Sequence, residues 1–401
     1  MTTLTVLIAG GGIGGLAAAL ACARGLSEGP QGDCTVRLLE RAQQFSEVGA
    51  GIQLGPNAVR VLSGWGLMPA LEAVAVRPKR LLVRSAASGA VLAAKPLAGT
   101  VEQRYGAPYL TVHRADLHAL LLRALRDCAG VQLLLDQTVT SFQDDGTAVT
   151  LTLTHGQPIT GDVLIAADGL WSTVRQQLLA DGPPRFTGHL AYRTLLHQLD
   201  LPQAARSMDI TAWLGPRFHA VSYPVRGGEW LNLVCVVVGP APVETHHWDH
   251  AAHAANLGTA LHGACPDLLA LVHAAAQWRL WPLSDRPPMT TADQHARGRV
   301  ALLGDAAHPM RPYLAQGAAM GIEDAAVLAT ALHTQPGDIA QRLHRYANQR
   351  WQRNARVQAR SKRNGVIFHA DGAHALARNA AMTVVGPSLL DLPWLYGGGP
   401  G

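Results

Sequence analysis

Cysteine is scarce in this chain of 401 residues, and the five cysteines that occur follow no regular spacing. They form no Cys-X-X-Cys pair, and their number is odd. This pattern excludes a disulfide-stapled scaffold and a cysteine-based zinc finger. We therefore expect reduced thiols and a cytoplasmic protein.

Long apolar runs are also missing, although 48% of the residues are hydrophobic. No run of about 18 apolar residues occurs without a glycine or a charge, so we expect no membrane span. Lysine is nearly absent, and the net charge of +5 is small for this length. The densest basic run, 341–365, lacks the aromatic platforms of a nucleic-acid-binding surface. We interpret it as the solvated face of a helix and expect no nucleic-acid partner.

The first residues hold a glycine cluster between a strand pattern and a helix pattern. The apolar run 4–9 is typical of a buried parallel strand, and Gly10, Gly12 and Gly15 follow it as Gly-X-Gly-X-X-Gly. The first glycine permits a tight turn, the second lets the backbone approach a pyrophosphate, and the third lets the helix pack on the strand. This context predicts a dinucleotide site at the start of the helix.

An acidic residue ends the next predicted strand, as this kind of site requires. Glu40 can accept hydrogen bonds from the ribose hydroxyls of adenosine, and the adjacent Arg41 could contact a phosphate or lie in solvent. These features do not distinguish FAD from NAD.

The hydrophobic pattern changes in the middle of the chain. From about 185 to 283, apolar and polar residues alternate as in antiparallel strands, whereas the residues after 322 have mostly helical patterns. We expect an α/β fold in which a Rossmann-like domain carries an inserted, mainly antiparallel β-sheet substrate domain and is followed by C-terminal helices. The predicted boundaries are 1–76, 102–182 and 284–360 for the nucleotide-binding domain, 77–101 and 183–283 for the sheet domain, and 361–401 for a C-terminal helical tail.

Two later segments help to distinguish FAD from NAD. The segments 163–175, VLIAADGLWSTVR, and 298–309, GRVALLGDAAHP, follow the N-terminal glycines in order. Together the three motifs resemble those of the flavoprotein aromatic hydroxylases, which are single-component, FAD-dependent monooxygenases, and the resemblance covers most of the chain. It implies FAD as the cofactor, with NADH or NADPH as co-substrate.

The resemblance also implies roles for individual residues. Asp305, after Gly304, would bind the ribityl hydroxyls of FAD, and a diol does supply the donors that a buried carboxylate needs. A helix-capping Asp305 is the local alternative. The other implied FAD contacts are Arg114, the loop 50–57 with Gln53 beside the flavin, and Asp168 with Gly169 near the pyrophosphate and NAD(P)H.

The helix that follows Gln316 begins with small residues, Gly317 and Ala318. A group can therefore approach its N-terminus closely. The positive end of the helix dipole would favour negative charge on the edge of a reduced flavin. We expect both residues to contact the cofactor.

The family chemistry hydroxylates an electron-rich aromatic ring with dioxygen through a flavin C4a-hydroperoxide. A protein base that removes a phenol proton accelerates this attack. His219 and Tyr223 lie four residues apart in a predicted strand and therefore on one face. They resemble the His-X-X-X-Tyr pair of 3-hydroxybenzoate 6-hydroxylases and 6-hydroxynicotinate 3-monooxygenases. This implies His219 as the base and Tyr223 as its partner, and His308 is a third catalytic candidate beside the flavin.

Two positions depart from these relatives and put the substrate in doubt. Gln53 stands where hydroxynicotinate enzymes have a histidine, and Pro312 where some hydroxybenzoate enzymes have a polar residue. We expect a small, hydroxybenzoate-like acid as substrate. Salicylate and hydroxynicotinate are the near alternatives. A larger aromatic in a tailoring reaction, a non-hydroxylating flavin oxidase and a plain NAD-dependent dehydrogenase are the more distant ones.

The remaining signals are weak. No second Gly-X-Gly-X-X-Gly occurs, so NAD(P)H would dock transiently. Four histidines in 244–256 have helical spacing, but no cysteine is near and hydroxylation needs no metal, so we expect none. A monomer and a homodimer are both compatible with the sequence.

Overall fold

The computed structural model describes residues 4–25, 34–45, 50–241, 250–252, 254–334 and 337–400. The strands in this part are β1 (Leu4–Ala9), β2 (Cys34–Leu39), β3 (Gly51–Leu54), β4 (Arg80–Ser85), β5 (Val91–Pro96), β6 (Leu110–His113), β7 (Val131–Leu134), β8 (Val139–Asp144), β9 (Val149–Leu153), β10 (Ile159–Gly161), β11 (Val163–Ala166), β12 (Arg185–His197), β13 (Ile210–Gly215), β14 (Phe218–Val225), β15 (Trp230–Val238), β16 (His250–Ala252), β17 (Trp278–Asp285), β18 (Ala296–Arg297) and β19 (Val300–Leu302).

The α-helices in the same residues are α1 (Ile13–Gly25), α2 (Pro56–Gly64), α3 (Met68–Glu72), α4 (Thr100–Tyr105), α5 (Arg114–Arg126), α6 (Thr173–Leu179), α7 (Ala254–Ala260), α8 (Pro266–His273), α9 (Gly317–Thr334), α10 (Ile339–Phe368), α11 (Gly372–Leu389) and α12 (Pro393–Tyr396). No helix among the described residues is both long enough and apolar enough to cross a membrane.

A six-stranded sheet forms the first layer, in the order β18-β19-β11-β1-β2-β7. β1 pairs in parallel with β2 and β11, and β11 pairs in parallel with β19. The inner strands are apolar on both faces because helices or a small antiparallel sheet cover each face, and α1 packs against α5 and α9. The predicted Rossmann-like architecture is confirmed.

An eight-stranded sheet forms the second layer, in the order β16-β17-β12-β15-β14-β13-β4-β5. Its pairs are antiparallel except β13 with β4, which run parallel. The described strands from the two segments predicted for the substrate domain all join this sheet, although β17 extends two residues past the predicted border. The division into two domains remains a prediction.

The predicted border between residues 360 and 361 does not coincide with the end of a helix. It falls inside α10, which is one continuous helix of 30 residues. No proline and only one glycine, Gly365, occur in this helix, so nothing in the local sequence interrupts it. The chain then turns back, and α11 packs against β5 at the edge of the second sheet.

The interpretation of the basic run as a solvated face is also wrong in part. Arg350 and its neighbour one turn on, Arg353, point inward to acids of α9. Arg350 is 1% exposed and donates to Asp324 Oδ1 at 2.7 Å and to Glu323 Oε2 at 2.8 Å. Arg353 donates to both oxygens of Glu323, at 2.7 and 2.8 Å. An ion cluster therefore joins α9 to α10.

The ion cluster also holds the turn that carries Asp305. Asp324 Oδ2 accepts a hydrogen bond from the backbone N–H of Gly304 at 3.1 Å and bonds the ring of His308. Burial opposes ionisation of Asp324, but the nearby His308 and Arg350 outweigh it and hold the pKa of this carboxyl well below its usual range. The turn after β19 is thus fixed by a charged side chain of α9.

We predict that Arg350→Met lowers the free energy of unfolding by about 3 to 5 kcal/mol, because it leaves two buried carboxylates without their main cation. Urea denaturation followed by circular dichroism measures the change. Lys362→Met, at an exposed position of the same helix, is the control and should change stability by less than about 0.5 kcal/mol. Equal stability of the two variants would contradict the role of the cluster.

Candidate active site

A cavity of about 310 Å³ lies where the parallel sheet, the eight-stranded sheet and the start of α9 meet. Gly12 and Asp305 line one end, which is built from loops of the parallel sheet. Val221 and Val234, from β14 and β15, line the other end. Ligand sites commonly form at such a junction of two layers.

The glycine loop has the shape that a phosphate-bearing group requires. Gly10 has a φ of +106°, and a Cβ there would lie 2.4 Å from the carbonyl oxygen of Ala167. A Cβ on Gly15 would lie 1.9 Å from the carbonyl oxygen of Gly10. Gly12 instead borders open space in the cavity. The first and third glycines are needed for packing, and the second leaves room for a ligand.

Glu40 and Arg41 differ in their surroundings. Glu40 Oε2 accepts a hydrogen bond from the N–H of Gly11 at 2.7 Å, and Oε1 accepts one from the N–H of Ala42 at 2.9 Å. Glu40 therefore braces the glycine loop. Arg41 is exposed and is not among the residues that line the cavity.

The Asp305 carboxyl opens to the cavity, and no group of the described residues donates a hydrogen bond to it. Burial by the surrounding protein raises the pKa of Asp305, and His308 and Arg114 counter this shift only partly. Arg114, at the start of α5, lines the same cavity. A polyhydroxyl chain would supply the donors that Asp305 lacks. The helix-capping alternative has no support here, because the nearby acid that bonds the backbone N–H of Gly304 is Asp324.

Asp168 and Gly169 occupy the loop after β11. Asp168 Oδ2 accepts hydrogen bonds from the N–H groups of Thr173 at 3.0 Å and Val174 at 3.4 Å, at the start of α6. Its side chain thus fixes the loop, while Gly169, with a φ of +80°, lines the cavity. Arg175 from the same motif donates to the carbonyl of Ala307 at 2.6 Å and so joins this loop to the Asp305 turn.

The first residues of α9 form part of the cavity wall. Gly317 and Ala318 both line it, and a Cβ on Gly317 would have no atom within 4 Å. The residues at this end therefore fit an FAD: the glycine loop for phosphates, Asp305 for ribityl hydroxyls, and the positive helix end for the flavin edge.

His219 and Tyr223 line the opposite end of the cavity, as their spacing predicts. His219 is 3% exposed, and its Nδ1 lies 2.8 Å from Nε2 of His369. Burial, followed by the neighbouring His369 and His189, holds the pKa of His219 well below its usual value. His219 is therefore a neutral imidazole facing the cavity at neutral pH.

Tyr223 and Gln53 are engaged by the protein itself. The Tyr223 hydroxyl donates to the carbonyl of Gly51 at 2.6 Å, and burial raises its pKa. Gln53 Oε1 accepts from the Tyr109 hydroxyl at 2.8 Å while its side chain lines the cavity. Tyr223 therefore holds β3 in place.

The structure does not bring His308 to the cavity with the other candidates. His308 is 1% exposed, lies behind the Asp305 turn and bonds Asp324 through Nε2. The sequence placed it next to the flavin because it follows Asp305 by three residues. The turn directs the two side chains apart, which sequence spacing alone does not reveal.

Two arginines that line the cavity are not among the predicted site residues. Arg193 of β12 lines the cavity, and its guanidinium lies 3.7 Å from the ring centre of Trp281. Arg311 also lines it and donates to Asp285 Oδ2 at 2.7 Å. An alternating strand pattern could have placed Arg193 on an inner face, but not opposite a flavin site.

The histidine-rich segment lies mostly outside the described residues, which omit 242–249 and residue 253. Within the described part of the chain, no group of three or more potential ligands could hold a metal ion.

Comparison with known proteins identifies the family of this chain. The family model described as "FAD binding domain" matches residues 3–361. The chain is 36% identical to 3-hydroxybenzoate 6-hydroxylase from Polaromonas naphthalenivorans (strain CJ2), covering 98% of this chain and 96% of that protein. It is also 36% identical to 6-hydroxynicotinate 3-monooxygenase from Bordetella bronchiseptica, covering 90% and 91%.

A solved structure titled as a salicylate hydroxylase substrate complex has the same fold. Its TM-score with this chain is 0.82 at 27% sequence identity, and the match covers 98% of this chain and 95% of that one. The predicted cofactor class and reaction class are confirmed by these relatives. The chain belongs to the family of FAD-dependent aromatic monooxygenases that share this FAD-binding domain.

Proposed function

We propose that this enzyme hydroxylates the ring of a small aromatic carboxylic acid that already carries a hydroxyl group. It would use dioxygen and either NADH or NADPH. The observation that carries this proposal is His219, a buried and neutral imidazole on the valine-lined wall of the cavity, opposite the residues that would hold FAD. Bound FAD supplies the oxygen-transfer chemistry, and the protein supplies orientation, proton transfer and exclusion of water.

His219 is suited to accept the phenol proton of such a substrate. Its Nδ1 is occupied by His369, so Nε2 is the nitrogen available to the cavity. Removal of the phenol proton increases the electron density of the ring and speeds its attack on an electrophilic oxygen. Tyr223, bonded to Gly51, would position β3 and its Gln53 against the ring system.

The walls around His219 favour an apolar ring. Val221, Val234, Val236 and Met310 line the cavity there, so a bound ring would displace water from the reacting region. Exclusion of water protects reactive oxygen intermediates from unproductive decay.

A substrate carboxylate has a candidate partner in Arg193. No carboxylate of the described residues forms an ion pair with this side chain, which stacks on Trp281 instead. Burial lowers the pKa of Arg193 to about 10, so it stays charged at neutral pH. A buried cation without an acidic partner favours an anionic ligand.

The names of the relatives suggest which acids to test. The Polaromonas enzyme is named for 3-hydroxybenzoate and the Bordetella enzyme for 6-hydroxynicotinate. Gln53 cannot act as a base, so we favour the benzoate over the pyridine acid. Salicylate follows as the next candidate because of the structural match.

We also propose that the reaction takes place in the cytoplasm. The five cysteines are free, which supports a reducing compartment of this kind. NAD(P)H would dock transiently beside the flavin, and the active unit would be a monomer or a homodimer.

The experiment that tests the function measures NADH and NADPH consumption by the FAD-loaded enzyme with 3-hydroxybenzoate, salicylate and 6-hydroxynicotinate, with chromatography of the products. We expect one acid to give a hydroxylated product in proportion to the cofactor consumed. Cofactor oxidation that yields only hydrogen peroxide with every acid would support a flavin oxidase instead. No stimulation by any of them would favour a larger aromatic substrate.

We predict that Asp305→Ala weakens FAD binding roughly 10- to 100-fold, because each hydrogen bond to a charged group contributes about 1.5 to 3 kcal/mol. Titration of the FAD-free protein with FAD, followed by flavin fluorescence, gives the dissociation constants. Asp293→Ala, at an exposed site, should bind FAD like the unmodified protein. Unchanged affinity in Asp305→Ala would argue against the ribityl contact.

We also predict that His219→Ala retains FAD and loses hydroxylation by about 100-fold or more, since general-base catalysis typically contributes that much. Product formation and flavin content are measured on the same preparations. His273→Ala, exposed on α8, is the matched control. Full hydroxylation by His219→Ala would assign the base to another group.

A further inference from the structure

A second cavity of about 600 Å³, here called the rear cavity, lies behind the substrate wall. It is lined by β12, the β13–β14 turn and the junction of α10 with α11, including His189, Arg217, Arg311, His369, His374 and Arg378. His219 lines the active-site cavity, whereas His369 lines the rear cavity. The 2.8 Å contact between their rings is therefore a hydrogen bond through the wall between the two cavities.

We propose that His369 is a positioning residue that acts through His219 and relays the phenol proton of the substrate to solvent in the rear cavity. This inference rests on the proposed role of His219 as the base. The inference adds a route for the phenol proton through the rear cavity, because bound flavin and substrate would block its exit through the active-site cavity.

The relay is needed because His219 cannot store a proton. Burial and two neighbouring histidines disfavour its charged form strongly. Burial, then His189, Arg311 and Arg378, also lower the pKa of His369 to about 3. Because a phenol has a pKa near 10, a proton that stopped on either ring would return to the substrate. Both imidazoles are neutral at pH 7, and their 2.8 Å contact requires one nitrogen to donate a proton and the other to accept it.

Neither ring gains a net charge when the two rings change tautomer together. At the start, His219 Nδ1–H donates to His369 Nε2, and His219 Nε2 presents its lone pair to the phenol. The phenol proton moves to His219 Nε2, the bridging proton moves to His369 Nε2, and the proton on His369 Nδ1 leaves to water. The substrate becomes a phenolate, and both rings are neutral before and after.

The outer nitrogen of His369 supports this direction. Nδ1 is buried and has no hydrogen-bond partner among the described residues. An imidazole that served only to pack would satisfy this nitrogen, because unpaired buried polar atoms are costly. A water molecule that enters from the rear cavity, which His369 lines, would supply the missing acceptor and take up the proton.

The charges around His369 favour release of the proton from the rear cavity to bulk water. Its ring packs on His189 at 4.8 Å and His219 at 5.0 Å between ring centres, and the Tyr313 hydroxyl bonds His189. The other ionisable groups near or lining the rear cavity are Arg217, Arg311 with its partner Asp285, Asp371, His374 and Arg378. Cations outnumber acids there, so a proton that reaches the rear cavity is repelled toward bulk water.

The first test follows proton release from 3-hydroxybenzoate on binding to the FAD-loaded enzyme, by stopped-flow absorbance of the phenolate. His369→Gln keeps hydrogen-bonding groups next to His219 but cannot change tautomer in the same way. We expect it to slow phenolate formation at least 10-fold at pH 7, with FAD content and the substrate dissociation constant changed less than 2-fold. Imidazole added to His369→Ala should restore the rate, because the rear cavity can admit it.

His374→Gln is the matched control, since it removes an exposed histidine of the same cavity that does not touch His219. It should form phenolate at the rate of the unmodified enzyme. Phenolate formation at that same rate in His369→Gln would overturn the relay, and so would the absence of any rescue by imidazole.

A second test does not depend on the substrate. In ¹⁵N-histidine NMR spectra of the FAD-loaded protein without substrate, the relay requires both rings to be neutral at pH 7, with the proton of each ring on Nδ1. A protonated His369, or a His219 that carries its proton on Nε2, would overturn it. Failure of every aromatic acid as a substrate, with this tautomer pair observed, would instead reject the proposed function.

Discussion

Two adjacent carboxylates, Glu323 and Asp324, lie fully buried in α9, and their neutralisation by Arg350 and Arg353 is the constraint on which the FAD-binding half depends. Burying two acids side by side is costly by itself, so α9 and α10 must dock in one register to bring the arginines within reach. The same Asp324 fixes the turn that presents Asp305, which is why a site residue depends on helices beyond it in the chain. The position of the Asp305 turn therefore depends on the docking of α9 against α10.

The cavity combines two kinds of construction. Its FAD end consists of loops at the ends of parallel strands, where backbone N–H groups and a helix start supply positive potential. Its other end is the face of an antiparallel sheet, on which His219 and Tyr223 are held two pleats apart. Loops can accommodate a large cofactor, whereas a sheet face holds its side chains in fixed positions.

The buried histidines illustrate how one residue type serves different purposes. His308 is locked to Asp324 and helps to hold the Asp305 turn. His219 and His369 have only each other and their aromatic neighbours, and burial keeps both uncharged. The first arrangement favours a fixed hydrogen bond, and the second permits a change of tautomer. What decides between them is the presence of a carboxylate partner.

Glycine geometry and strand periodicity are local properties, so the sequence was enough to predict the glycine loop, the strand–helix order and the shared face of His219 and Tyr223. The tertiary structure was needed to show that His308 turns away from the cavity, that Arg350 is buried, and that α10 continues through residue 360. It alone also joins His219 to His369, which lies 150 residues away. Such contacts form between elements distant in the chain, where hydrophobic periodicity and motif spacing carry no information about which faces meet.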